Sequence, residues 1–466
     1  MKSTSLEAPT IASKIKELKS LLPRIEQASD YIAVKYLLST LLRNDSWSEK
    51  DLNSFIPLIQ KIDTSKYLRT GYLLNWKKYH KASALTEPWL SIAALLLCKL
   101  IIYEKKNGAQ SQQLIKRMNT LFKLLDVTTE PWLSTGNPIR VGIEGDLRKL
   151  ADNIPFHPVG TTFQSDITFP SSSNTKISIP LTVVFWEGPI ARAYLETMHS
   201  LGFAPEKIIH LVSSLDVHSG KPIARWLPPD FRKYYAANLQ QLKIHYWPKK
   251  ISKNFPSLKK SIFNEVNASL GFAHSTLAGA SKLRDLSFYS NNVETVLIDG
   301  LRDPVLRERF SQFSNVTMLY TGGGILPRNL LGIPQLRFIH MHPGFLPSIR
   351  GADGILWSVM LAGRTSVTCF YMSPGIDTGD IIWPCWLPKV KFNLEGNSHD
   401  LKTLYQAAFS FFDPWVRSYA LRYLLSKYRK FNNIPSTPQD QNSGATYHFM
   451  HTALQKYSLQ SLFSHP

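Results

Sequence analysis

Residues 338–351 are the most informative stretch of this chain and read FIHMHPGFLPSIRG. Their apolar start is typical of a β-strand, and the proline and glycine that follow are typical of a turn. Side chains alternate between the two faces of a strand, so His340 and His342 are expected to project to the same side at its carboxyl end. Further on, residues 373–380 read SPGIDTGD, a composition that predicts a tight loop holding Asp377 rigidly. Two imidazoles and a carboxylate can then converge, which suits general acid–base catalysis by an oriented histidine.

Short apolar strands alternate with helical segments on both sides of residues 338–351. This alternation predicts an α/β fold with a parallel-rich sheet that helices cover on both faces. Ligands of such sheets bind beyond the carboxyl ends of the strands. The predicted strands are residues 181–186, 207–212, 293–298, 316–320, 337–342 and 366–372, and the predicted helices between them are residues 190–201, 305–310 and 355–361.

Composition divides the chain into four parts. Residues 1–150 are predicted to form a helical N-terminal domain, and residues 151–178, rich in Ser, Thr, Asn and Pro, a linker. Residues 179–395 hold the α/β domain with a basic insertion at 215–292, and residues 396–466 form a helical extension and tail. The apolar spacing typical of helices is found in the N-terminal part over residues 11–25, 31–42, 52–62, 91–106 and 111–125.

The C-terminal part is predicted to be helical over residues 401–412 and 414–428. Between these segments, Asp413 is expected to cap the second helix and Pro414 to be its first residue. Beyond Asn432 the sequence is polar, and we expect a loose tail.

The chain is strongly basic. It has 54 Lys and Arg against 34 Asp and Glu, a net charge of +20, which favours anionic partners. Residues 221–260 alone hold ten basic residues, one acid and seven interleaved aromatics. Such a segment suits phosphate neutralisation and base stacking. The alternative is a solvated basic face whose aromatics pack onto the sheet.

The cysteine content and the apolar runs indicate a cytoplasmic protein. Three cysteines are too few and too scattered for a disulfide framework, which favours a reducing compartment. The polar N-terminus lacks the apolar core of a signal peptide. The most apolar run, residues 90–103, contains Lys99 and is too short to span a bilayer, so we expect no membrane span.

The two stretches around His342 and Asp377 resemble the formyltransferases that use N10-formyltetrahydrofolate. The pattern His-Pro-x-x-Leu-Pro-x-x-Arg-Gly, followed by Asp-Thr-Gly-Asp-Ile, is similar to that of methionyl-tRNA, glycinamide ribonucleotide and sugar N-formyltransferases. Upstream, residues 322–327 read GGGILP and resemble the family's Gly-x-Ile-Leu-Pro turn. The resemblance covers residues 179–390 and is most specific over 316–382.

The resemblance implies a Rossmann-like formyltransferase domain with N10-formyltetrahydrofolate as formyl donor. His342 would be the catalytic histidine, which stabilises the developing oxyanion and relays a proton. Asp377 would orient it and stabilise the imidazolium. The residues implied to contact the folate are Gly344, which stands where the family usually has serine, with Phe345, Leu346 and Pro347 in the same turn and Leu326 at the pterin pocket.

His340 departs from the family pattern, which has an asparagine at this position. An imidazole N–H can replace the amide as oxyanion donor in the right tautomer or when charged. Two alternatives follow from the same residues. His340, His342 and Asp377 could together hold a transition metal, although the loop sequence is better explained without one. The domain could also be a binding module that has lost catalysis.

The amine that accepts the formyl group is less clearly indicated. Methionyl-tRNA enzymes resembling this chain usually carry a C-terminal β-barrel, whereas the segments after residue 390 predict helices. A small acceptor, anionic or nucleotide-linked, is therefore favoured over tRNA. Nucleic-acid binding through residues 221–260 stays open but is not favoured. Within the resemblance, water is also an acceptor, which would make the enzyme a formyltetrahydrofolate hydrolase.

Overall fold

The chain forms two compact units, Met1–Pro155 and Phe156–Pro466. Three predicted N-terminal helices, residues 11–25, 31–42 and 52–62, and nearly all of the predicted linker lie outside the described residues, so the four-part division stays a prediction. The computed structural model describes residues 111–127, 135–152, 176–394, 398–440 and 443–464, together with scattered residues between 94 and 105.

Two helices of the first unit pack against each other, α1 (Ser111–Val127) and α2 (Pro138–Asp152). The first confirms the helix predicted over 111–125. Its apolar residues recur at helical spacing and are buried, as in any helix that packs one face. Arg140 of α2 donates to the carbonyl oxygen of Leu125 at 2.6 Å, at the end of α1 where a cation is favourable.

The second unit is built on a seven-stranded mixed sheet. The strands in chain order are β1 (Ile177–Trp186), β2 (Phe203–Ser213), β3 (Val293–Ile298), β4 (Val316–Tyr320), β5 (Leu336–His342), β6 (Ile349–Gly351), β7 (Ser366–Tyr371), β8 (Ile381–Trp386), β9 (Phe392–Asn393), β10 (Ala445–Tyr447) and β11 (Phe463–Ser464). The sheet order is β3-β2-β1-β4-β5-β7-β8, parallel from β3 to β5 and antiparallel for β7 and β8. The predicted α/β fold with a parallel-rich sheet is confirmed.

Helices cover both faces of this sheet. On one face, Leu306 and Phe310 pack with Ile298 and Phe338 of the strands in an apolar cluster. On the other face, α3 (Pro189–Ser200) and α12 (Asp413–Lys427) pack against each other and α12 packs on β5 and β7. The helices of the second unit are α3 (Pro189–Ser200), α4 (Pro229–Ile244), α5 (Tyr246–Asn254), α6 (Pro256–Leu270), α7 (His274–Ala280), α8 (Pro304–Ser311), α9 (Arg328–Leu331), α10 (Gly354–Ala362), α11 (Leu401–Ala407), α12 (Asp413–Lys427) and α13 (Thr452–Leu462).

The basic insertion folds as four helices, α4 to α7, for which the sequence had predicted no elements. The idea that its aromatic residues pack onto the sheet is wrong for most of them. Five of the seven are more than half exposed because they lie on the solvent side of the helices or in the loop before α4. The exposed aromatics are Trp226, Phe231, Tyr234, Tyr235 and Tyr246.

The C-terminal residues are an integral part of the second unit. A π-helical turn, Ala408–Phe412, joins α11 to α12 without a break, so Asp413 is inside the helical run rather than a cap that starts it. The helices predicted over 401–412 and 414–428 are confirmed. The loose tail predicted beyond Asn432 is wrong, because β10 pairs with β6, β11 pairs with β9, and α13 buries Leu454 and Leu459. No helix among the described residues is long and apolar enough to cross a membrane.

Candidate functional site

His342 lies at the carboxyl end of β5 with its side chain only 3% exposed. Its Nε2 lies 2.9 Å from the carbonyl oxygen of Ile349, and because a carbonyl can only accept, this nitrogen carries the proton. The other ring nitrogen, Nδ1, lies 3.4 Å from Oδ2 of Asp377. The structure therefore brings together the histidine and the aspartate that the sequence singled out.

Asp377 is held by its own backbone and by a neighbouring loop. Its φ is +53°, in the left-handed region that Asp tolerates better than most residues. The backbone N–H of Gly351 donates to Oδ2 at 2.8 Å. From the C-terminal segment, the Gln439 side-chain amide donates to the Asp377 carbonyl at 3.0 Å and to the carbonyl of Gly379. The carboxylate is thus fixed before any substrate arrives.

Burial sets the protonation state of His342. It lowers the pKa of this imidazole because the charged form loses its water, while the Asp377 carboxylate opposes the shift. In the neutral ring, Nε2–H points to Ile349 and Nδ1 is the basic atom facing the carboxylate. A proton taken up at Nδ1 converts that contact into an ion pair. The site can therefore accept a proton and stabilise the charge that results.

His340 is engaged at both ring nitrogens. Its Nδ1 lies 3.1 Å from the carbonyl oxygen of Tyr320 and therefore carries the proton. Its Nε2 lies 3.4 Å from Nη1 of Arg417 and presents a lone pair to the guanidinium. Burial, and then the Arg417 charge, lower the pKa of His340 to about 4. The neutral tautomer with the proton on Nδ1 follows from these contacts.

Arg417 and Asp413 of α12 form a buried ion pair behind the two histidines, which sequence reasoning missed. Nε of Arg417 donates to both carboxylate oxygens of Asp413 at 3.0 Å, and Nη1 donates to the Met341 carbonyl at 2.8 Å. Asp413 is 1% exposed. Their spacing of four residues is a visible signal for a helical pair. Nothing in the sequence indicates that the pair contacts β5.

The five residues implied to contact folate fall into two groups. Gly344, Phe345, Leu346 and Pro347 form the turn that follows His342, in which Leu346 is buried and Phe345 stacks on Trp386 with ring centroids 4.9 Å apart. A Cβ on Gly344 would lie 2.5 Å from Nε2 of His342, so this orientation of the imidazole requires glycine. The fifth residue, Leu326, lies apart from these four and is buried in the loop after β4.

The loop after β4 has features that suit a flat heterocycle. Ile325 is 62% exposed beside the buried Leu326, and a Cβ on Gly323 would meet no atom within 4 Å. Exposed apolar surface next to open backbone is a common lining for a ring that needs both stacking and backbone hydrogen bonds.

A metal at this site has less support than an acid–base pair. Within the described part of the chain, no group of three His, Cys, Asp or Glu side chains is placed to hold a metal ion. The Arg417 guanidinium, whose Nη1 lies 3.4 Å from Nε2 of His340, also leaves that ring poorly placed to bind a cation.

The fold places the histidine–aspartate pair at the carboxyl edge of the sheet, where it could support acid–base chemistry, and this segment is similar to known proteins. Residues 299–389 match the formyl transferase family. The resemblance drawn from the sequence is therefore confirmed over the segment that holds His340, His342 and Asp377.

Named relatives match only a short part of the chain. The methionyl-tRNA formyltransferase of Syntrophus aciditrophicus is 40% identical over 85 residues, 18% of this chain and 27% of the relative. That of Clostridioides difficile is 34% identical over 122 residues, 26% and 37% of the two chains. The chain thus spans about a third of these relatives. Among solved structures, a sugar N-formyltransferase from Shewanella sp. has a TM-score of 0.31 and 13% identity, covering 61% of this chain and 88% of its own.

Proposed function

We propose that this protein transfers a formyl group from N10-formyltetrahydrofolate to the amine of a small, anionic acceptor. The observation that carries the proposal is the contact between His342 and Asp377, which lies inside the segment that matches the formyl transferase family. Both the activity and the acceptor are inferences for the whole chain, since the matching segment is short.

His342 and Asp377 account for the proton transfer that such a reaction needs. When an amine attacks the formyl carbon, it must lose a proton, and negative charge develops on the formyl oxygen. Nδ1 of His342 can hold that proton because the Asp377 carboxylate lies 3.4 Å away. The bond from Nε2 to Ile349 keeps the ring from rotating while the charge appears.

His340 is proposed to supply the hydrogen bond that the family's asparagine amide provides. Its proton is on Nδ1 and is bound to the Tyr320 carbonyl, so donation to the formyl oxygen requires that bond to be exchanged. The nearby Arg417 favours negative charge at this place, since its guanidinium lies 3.4 Å from the other ring nitrogen.

The donor is proposed to lie between the two loops that follow β4 and β5. Leu326 would form the wall of the pterin pocket, with Ile325 beside it. The residues proposed to line the remaining part of the folate site are Gly344, Phe345, Leu346 and Pro347. The bound folate supplies the formyl group, and the chain supplies orientation and proton transfer.

A second candidate function is formylation of an aminoacyl-tRNA. The observation that favours it is the exposed surface of α4 and the preceding loop, where Trp226, Phe231 and Tyr234 lie among lysines and arginines. Such surfaces bind nucleic acid by stacking and by neutralising phosphates. The curated relatives named above are methionyl-tRNA enzymes.

An activity assay tests the proposal. The full chain is incubated with N10-formyltetrahydrofolate and a panel of phosphorylated amines. We expect tetrahydrofolate and a formylated amine in equal amounts, and neither with the His342→Ala variant. Formate released without any amine would make the protein a hydrolase. Formylation of charged tRNA alone would establish the second candidate. Binding of 5-formyltetrahydrofolate without turnover of any acceptor would point to a binding module.

A further inference from the structure

A cavity of about 380 Å³ opens at the same edge of the sheet as His342. Pro189, which follows β1, and Pro414, at the start of α12, both line it. Strands β1 and β5 run in the same direction through β4, so their carboxyl ends share one edge. The remaining walls come from α5, α6, α7 and the π-helical turn. We call this cavity the basic pocket.

The lining of the basic pocket carries a concentrated positive charge. Lys249, Lys253 and Lys259 all line it, and the described lining residues include no aspartate or glutamate. Hydroxyl groups of Ser252 and Ser281 lie among the lysines. Three cations and two hydroxyls around a cavity of this size form a donor set for a phosphoryl group.

Lys259 is the most enclosed of the three lysines. Its Nζ lies 5.2 Å from the ring centroid of Phe263, 5.3 Å from that of Phe411, and 3.4 Å from Oγ of Ser281. Burial lowers the pKa of this ammonium, and among the described residues no carboxylate neutralises it. An anion in the pocket would supply the missing counter-charge.

A buried cluster fixes the floor of the basic pocket without cancelling its charge. His245 lines the pocket, and its Nε2 lies 2.8 Å from Oε1 of Glu187. Oε2 of the same carboxylate lies 2.6 Å from Nη2 of Arg192. Although burial favours the neutral acid, hydrogen bonds from His245 and Arg192 hold the pKa of Glu187 well below its usual range. Because Arg192 neutralises Glu187, the charge of the lysines remains.

The basic pocket and the two histidines lie on different sides of α12. Trp415 forms part of the pocket wall, whereas Arg417, two residues further on and so on the opposite side of the helix, donates to the Met341 carbonyl between His340 and His342. The pocket is therefore a site of its own. The exposed aromatics Trp226 and Tyr234 are not in the described lining, so the pocket is separate from the surface that would suit RNA.

We propose that the basic pocket binds the phosphoryl group of a phosphorylated small molecule. The lysines hold the charged end, and the aromatic walls contact the adjoining part of the molecule. Binding there does not depend on the proposed function.

Titration of the full chain with inorganic pyrophosphate tests the site directly. Binding is followed by the line width of the ³¹P resonance and by the intrinsic tryptophan fluorescence, to which Trp415 at the pocket wall contributes. We expect saturable binding that weakens about tenfold or more in the variant Lys249→Gln/Lys253→Gln, since each bond to a charged phosphate is lost. The matched control is Lys250→Gln/Lys260→Gln, which removes the same charge from α5 and α6 at positions outside the pocket lining.

Three outcomes would overturn the proposal: no saturable binding, equal weakening in both double variants, or displacement of pyrophosphate by tRNA at lower concentration than by a nucleoside monophosphate. The His342→Ala variant separates this proposal from the proposed function. It should bind pyrophosphate like the wild type and transfer no formyl group. Pyrophosphate binding in a wild type that transfers no formyl group would overturn the proposed function and leave the phosphoryl site standing.

Discussion

Gly344→Ala is the substitution that best tests the geometry around His342. The new Cβ would lie 2.5 Å from Nε2 of His342 and 2.6 Å from the carbonyl oxygen of Ile349, in the space that their hydrogen bond occupies. The Ile349 carbonyl is part of the backbone and gives way less easily than a side chain, so the His342 imidazole must move. The bond to Ile349 and the contact with Asp377 would then both be lost.

The expected cost of Gly344→Ala has two parts. Overfilling a packed site costs about 1–3 kcal/mol, and leaving buried polar groups unpaired costs about 1–3 kcal/mol more, so we expect a loss of about 2–6 kcal/mol in unfolding free energy. A catalytic group displaced by about 1 Å typically loses about a hundredfold in rate. Urea unfolding measures the first effect, and kcat/KM for formyl transfer measures the second.

Gly145→Ala is the matched control for this change. It adds the same methyl group to α2, where a Cβ meets no atom within 4 Å, and we expect stability and activity close to the wild type. Gly344→Ser, which restores the family's usual residue, should behave like Gly344→Ala because its Cβ meets the same atoms. If Gly344→Ala kept both wild-type stability and wild-type kcat/KM, the described position of the His342 ring would be wrong.

Four further predictions concern the same region. His342→Ala should remove nearly all formyl transfer while leaving 5-formyltetrahydrofolate binding by calorimetry intact, and Asp377→Asn should be nearly as severe. His340→Asn should keep kcat within about tenfold, or 1.4 kcal/mol on the barrier, whereas a loss of about a hundredfold would assign His340 an acid–base or metal role. Because burial lowers the pKa of His340 to about 4, the unfolded chain takes up that proton first. Stability should therefore fall as the pH drops from about 6.5 toward 4, by up to about 3 kcal/mol, and His340→Asn should flatten that slope in urea titrations. Arg417→Met should cost about 3–5 kcal/mol because it leaves the Asp413 carboxylate buried and unpaired, and adding Asp413→Leu should recover much of the loss.

The sequence predicted most of the sheet and the central pair of the site for a physical reason. Strands such as β3 and β4 are short apolar runs bounded by polar or turn residues, so their limits could be predicted to the residue. The contact between His342 and Asp377 could be predicted because turn residues mark the end of β5 and the loop after β7. Their contact was expected and lies at 3.4 Å.

The parts that could not be predicted depend on contacts between distant residues. Arg417 reaches the carbonyl of Met341 across 76 residues, and Gln439 reaches Gly379 across 60. Composition indicates only that each is polar. The tail was misjudged for the same reason, since its polar sequence hides a strand that pairs with β6.

The position of residues 437–447 has a consequence for how the protein is made. Thr437 pairs with Ile381, Gln439 bridges Arg350 and the Asp377 loop, and β10 completes β6 beside His342. On a translating ribosome, every residue named in the acid–base site is synthesised well before this segment emerges. The nascent chain therefore holds its histidine and aspartate on unsupported loops until this segment is added. A chain that stops after α12 would lack the contacts of Gln439 and β10 that support the Asp377 loop and β6.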